Sequence, residues 1–160
     1  RFFDTLCELL EARYPIDENR IYATGLSTGG TFCALLARHR SDRLAGVIPV
    51  CGWDPNDVSD CFLPEPGEAM PCAVLAIAGE NDVKVSPGSV KNLCDALTAE
   101  KHEVQMHVQQ NHGHAWDYEF NELIVDFCRK HTKPSSIPTE TEKVALQGEL
   151  SNSESSSSRE

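Results

Sequence analysis

The 160 residues carry 25 acidic against 14 basic side chains, a formal net charge of −11, and 40% of them are hydrophobic. That length and apolar content suit one ordinary domain with its own core, and the charge excludes nucleic acid and other polyanions as partners, since no run of Lys or Arg offers a local exception. No apolar stretch approaches the roughly 18–20 residues that a membrane span needs, so a soluble chain is expected, while its oligomeric state is left open.

The chain opens on Arg1, and Phe2, Phe3, Leu6, Leu9 and Leu10 already recur at helical spacing, so an upstream segment is expected. Pro15, Asp17 and Asn19 turn the chain out of that helix. Arg20 to Thr24 has the β-branched and aromatic centre of a short strand, Gly25 closes it, and a second helical run with Phe32, Leu35 and Leu36 follows at once.

Leu44 to Cys51 and Ala73 to Ala78 are nearly continuous apolar runs of strand length, as central strands of a parallel sheet require. Between them Gly52 to Pro71 is polar, acidic and Pro-rich, and long for a simple connection. Ser86-Pro87 has the form of an N-cap with Pro at the first helical position, and Val90, Leu93 and Leu97 then face inward. Glu103 to Val108 alternates as a strand nearer the sheet edge would, and Phe120, Leu123, Ile124, Phe127 and Cys128 form the stripe of a last helix.

From Pro134 the text changes to eight Ser in 27 residues with few large apolar groups, so residues 134–160 are expected to be a disordered, Ser-rich acidic tail. Residues 1–133 are then an α/β domain, a mostly parallel sheet with helices on both faces.

Seven cysteines have two kinds of setting. Cys7, Cys33, Cys94 and Cys128 fall on apolar helix faces, where a thiol behaves as a small buried hydrophobe. Cys51, Cys61 and Cys72 fall in or beside the polar loop, where a disulfide is available if the protein is exported.

Gly25-Leu26-Ser27-Thr28-Gly29 fits Gly-x-Ser-x-Gly where a predicted strand hands over to a predicted helix, the context a nucleophile elbow needs. Glycines on either side of Ser27 let strand and helix pass closely. The turn also puts Ser27 at a helix N-terminus, where the Thr28 backbone N–H can stabilise an oxyanion. The alternative, a helix cap in a nucleotide-binding turn, lacks both Gly-x-Gly-x-x-Gly and Gly-Lys-Ser/Thr.

A serine hydroxyl becomes a nucleophile only when a base takes its proton and a third group orients that base. Asp82, after the strand Ala73–Ala78, is the candidate acid, and Asn111-His112-Gly113-His114-Ala115-Trp116 supplies two candidate bases after the last strand. His114 is favoured and His112 is the alternative; a metal shared by the two lacks further ligands at the right spacing. Trp116 is a candidate substrate contact, and no cofactor is implied. His39, His102, His107 and His131 have no comparable context and are expected at the surface.

The segments Arg20 to Gly30, Leu44 to Gly52, Gly79 to Asp82 and Gly113 to Trp116 resemble the polyhydroxybutyrate depolymerase and feruloyl esterase group of α/β-hydrolases, over about residues 1–131. The resemblance implies a Ser27, Asp82, His114 triad, Thr28 as one oxyanion donor, a carboxylic-ester substrate and an extracellular site of action. The group's N-terminal strands, with the second oxyanion donor, have no counterpart in this chain. A serine peptidase or thioesterase of the same fold, or a non-catalytic fragment serving as an interaction module, are the competing functions.

Overall fold

The computed structural model describes residues 2–57 and 70–133, so the tail from 134 and the middle of the long polar loop, with Cys61, lie outside the described residues. Strands and helices alternate in the order α1 (Phe2–Glu11), β1 (Tyr22–Leu26), α2 (Thr28–Arg40), β2 (Gly46–Val50), β3 (Ala73–Gly79), α3 (Pro87–Ala99), β4 (Glu103–Gln109) and α4 (Glu119–Lys130). The four strands pair in chain order, and each pairing is parallel.

Burial follows the apolar runs. All of β2 and β3 is buried, whereas β1 and β4, at the two edges, are half-buried or exposed. Because successive strand residues point to opposite faces, Val47 and Val74 join Cys33, Ala34, Ala37, Leu93 and Leu97 from α2 and α3 in one core. Ile48, Leu75 and Ile77 join Phe120 and Phe127 of α4 in the other. The Ser86 side chain caps α3 by accepting the Ser89 N–H at 3.1 Å, with Pro87 at the first helical position.

Two polar contacts fasten the helices. Arg38, 3% exposed, makes a bidentate pair with Asp54 at 2.9 and 3.1 Å and binds Glu100 through Nε, joining α2, the segment after β2 and the end of α3. The Tyr22 hydroxyl donates to the Cys128 carbonyl at 2.7 Å and also meets that of His131, holding the end of α4 against β1.

Two expectations are corrected, and two apolar helix faces lie outward. His102 is buried rather than superficial: it follows Lys101, whose φ of 75° turns the chain into β4, and its Nδ1 accepts the Cys72 N–H at 3.2 Å. Burial holds its pKa below the usual histidine value. Phe32 sits on the outer side of α2 at 45% exposure, and the apolar stripe of α1 lies outward, with Phe2, Leu6, Leu9 and Leu10 exposed and Cys7 alone buried. Ion pairs from Arg40 to Asp4 and from Arg43 to Glu11 hold α1 in place, above a cavity of about 350 Å³ lined in part by Cys7, Leu10, Ile16 and Tyr22. Cys51 and Cys72 are free thiols, so neither takes part in the disulfide considered for the polar loop.

Arg38→Met should lower stability by about 3–5 kcal/mol, because the Asp54 carboxylate would stay buried without its partner. Glu100→Gln, at a side chain 34% exposed, should cost under about 1 kcal/mol. Urea denaturation of the two variants measures both.

Candidate active site

Ser27 is the one residue between β1 and α2, and its backbone has φ 59° and ψ −119°. A side chain is normally excluded from that conformation, which costs on the order of 1–3 kcal/mol and persists only where the surroundings impose it. Here the Ser27 N–H donates to the Val50 carbonyl at 2.9 Å, and the Ser27 carbonyl accepts the Thr31 N–H at 3.0 Å as the first helical bond.

Glycine is needed where strand and helix touch. A Cβ at Gly25 would lie 2.7 Å from the carbonyl carbon of Gly29, and one at Gly30 would lie 2.8 Å from the Val50 oxygen, whereas a Cβ at Gly29 would meet nothing within 4 Å. The second glycine of the motif is therefore not the crowded one. Gly30, just outside the motif, is.

Asp82 stands in the turn after β3 with its side chain wholly buried. Its Oδ1 accepts the backbone N–H groups of Lys84 at 2.8 Å and Val85 at 2.9 Å, and its Oδ2 lies 2.7 Å from His114 Nδ1. Burial works to raise its pKa, but the Val85 N–H, His114, the Lys84 N–H and the Cys51 thiol together hold the carboxyl below its ordinary value.

The histidine loop is fitted directly to this turn. The Asn81 N–H donates to the His112 carbonyl at 2.8 Å, and the Asn111 N–H to Glu80 Oε2 at 2.9 Å. The two segments come so close that a Cβ at Gly79 would lie 2.5 Å from the Gly113 oxygen and 2.7 Å from that of His112.

Of the two histidines, His114 is the one paired with the acid. The His112 ring instead lies 3.0 Å from the Ala115 carbonyl, 3.3 Å from Asp117 and edge-on to Phe120. Trp116, 39% exposed, follows two residues after His114, its Nε1 donating to Asn121 at 3.2 Å. Thr28 opens α2 and so presents one of the N–H groups that a helix leaves without an internal partner.

Ser27, Asp82 and His114 thus all stand at the carboxyl ends of strands of one parallel sheet. The direct contact is between Asp82 and His114; the Ser27 hydroxyl has no hydrogen-bond partner among the described residues. Cys51 completes the setting: its sulfur, an Asp82 oxygen and a His114 nitrogen all lie within 4.8 Å of one another, the one grouping of possible metal ligands among the described residues.

A model of the dienelactone hydrolase family matches residues 2–134. An oxidized polyvinyl alcohol hydrolase from a Pseudomonas species is 24% identical over 177 residues, covering 84% of this chain and 47% of that protein. Esterase PE8 superposes with a TM-score of 0.65 at 19% identity over 80% of this chain and 58% of its own. A carboxylesterase from Bacillus cereus gives 0.65 at 24% identity, over 81% and 57%. The chain spans about half the length of the curated relative it matches, and these likenesses give the fold, that of an α/β-hydrolase.

Gly79→Ala should cost about 1–3 kcal/mol, since carbonyl oxygens rather than a flexible side chain oppose the new methyl group. Gly29→Ala should be neutral or gain up to about 1 kcal/mol from the better helix former. Thermal or urea unfolding that ranks the two the other way round would contradict the packing described here.

Proposed function

The chain belongs to the dienelactone hydrolase family, and on that basis we propose that it is a serine-dependent carboxylic-ester hydrolase with Ser27 as nucleophile, His114 as base and Asp82 as the acid that orients it. The observation that carries this is the strained Ser27 turn at the same carboxyl end of the sheet as the buried Asp82–His114 pair. Strain of that kind collects where a reactive group must be held exposed.

Asp82 Oδ2 accepts from Nδ1, which leaves the Nε2 of His114 as the acceptor for the Ser27 proton. The serine oxygen then attacks the ester carbonyl, and the negative oxygen of the tetrahedral intermediate is met by the Thr28 N–H at the start of α2. His114 returns the proton to the leaving alcohol, which departs and leaves an acyl-enzyme. Water, deprotonated by the same nitrogen, then hydrolyses that acyl group. Esters of the feruloyl, polysaccharide-linked or polyhydroxyalkanoate kind are the substrates the motif resemblance suggests, with the half-exposed indole of Trp116 as a surface for the bound group.

Ser27→Ala should reduce turnover by about 10⁴- to 10⁶-fold and abolish labelling by a fluorophosphonate probe. His114→Ala should be comparably severe and His112→Ala mild. Retention of more than about a tenth of the activity by Ser27→Ala would exclude the nucleophile, and severe loss in His112→Ala alone would exchange the histidines.

Asp82, held below the ordinary carboxyl value, stays ionised throughout the range where histidines titrate. Acidification should therefore reduce activity through one group, the base, whose protonated form cannot accept the serine proton. A rate profile flat from pH 8 to about 5 would rule out a histidine base.

A further inference from the structure

Cys51 belongs to the core cluster of Ile48 and Ile77, and its sulfur also borders the Asp82–His114 pair. It follows the last residue of β2, is fully buried, and its backbone N–H donates to the Ile77 carbonyl at 2.7 Å. Its φ of 48° lies in the left-handed region, which residues other than glycine seldom adopt. This turn places the side chain in the core cluster of Ile48, Ile77 and Phe120 and, at the same time, beside the acid.

Asp82 is a buried carboxylate, and its oxygens together accept about four hydrogen bonds when satisfied. Lys84 and Val85 occupy Oδ1 and His114 approaches Oδ2. The remaining neighbour is the Cys51 sulfur, within 4.8 Å of both the carboxylate and the imidazole.

We propose that Cys51 is a positioning residue for the catalytic pair: its thiol donates to the Asp82 carboxylate, fixing the carboxylate plane and so the direction of the imidazole. This rests on the triad assigned above. The thiol is a donor throughout the working range, because burial, and then the neighbouring carboxylate, push it up to about 11. Donation also withdraws charge from the carboxylate. Losing it makes Asp82 a stronger acceptor, stabilises the imidazolium of His114, and moves the acid limb of the rate profile to higher pH.

Cys51→Ala and Cys51→Ser test this with the backbone cost held constant, since both must adopt the same left-handed turn. In the full chain, with an aryl ester as substrate, Cys51→Ala should lower kcat about 5- to 10-fold with KM little changed, and its acid limb should move up. Cys51→Ser, which restores a stronger donor, should recover kcat to within about 3-fold, with the acid limb at or below that of the wild type. Equal kcat and pH profile in Cys51→Ala and wild type would overturn the proposal, as would a serine variant no better than alanine, which would mark a packing role. If Cys51→Ala does not fold, the serine variant decides alone: an acid limb displaced upward overturns the proposal. Fluorophosphonate labelling of Ser27 in the wild type separates the two levels. Without it the triad assignment falls; with it, a negative result removes Cys51 alone.

Discussion

The bond from the Ser27 N–H to the Val50 carbonyl anchors the carboxyl end of the sheet, where Ser27, Asp82 and His114 stand. It closes the turn between β1 and α2 on the neighbouring strand, so the serine's position is referred to β2 rather than to a free loop. The same oxygen is what a Cβ at Gly30 would strike, so the approach of the helix and the conformation of the serine are one constraint. The next residue, Cys51, turns to left-handed φ, and its sulfur lies within 4.8 Å of both Asp82 and His114. Two adjacent residues at the end of one central strand thereby connect the Ser27 turn with the Asp82–His114 pair.

Asp82 and His114 are referred to each other in a similar way. The turn after β3 and the loop after β4 exchange backbone hydrogen bonds through Asn81, Asn111 and Glu80, and Gly79 lets them touch. The 2.7 Å contact between Asp82 and His114 is thus set by backbone rather than by long side chains searching for one another. In the proposed mechanism such pre-organisation would let His114 act without a reorganisation cost at the moment of reaction.

Much of this was legible in the chain because it is local. A continuous apolar run such as Ala73 to Ala78 needs two covering layers, and Gly25 to Gly29 between strand and helix needs a tight turn; both signals lie within a few residues. Asp82 and His114 were placed by their order after successive strands, which a parallel sheet converts into a common end. What sequence did not give depends on contacts between distant segments. Gly30 and Gly79 look like ordinary glycines until the Val50 and Gly113 oxygens are placed beside them. His102 reads as a polar residue in a turn, yet the Cys72 N–H supplies the partner that lets it be buried. The stripe on α1 has sound helical periodicity, but periodicity does not say what covers a face, and Phe2 remains 75% exposed.

The burial of the cysteines has a chemical consequence. Alkylation and disulfide exchange proceed through the thiolate, and burial raises Cys33 and Cys72 to about 12 and Cys94 to about 11. A thiol at 12 is ionised to about one part in 10⁵ at pH 7. None of the described thiols is cross-linked, so among the described residues cohesion comes from packing and ion pairs rather than from disulfides. Reductants should leave the described part of such a scaffold intact, and its cysteines serve it as volume rather than as staples.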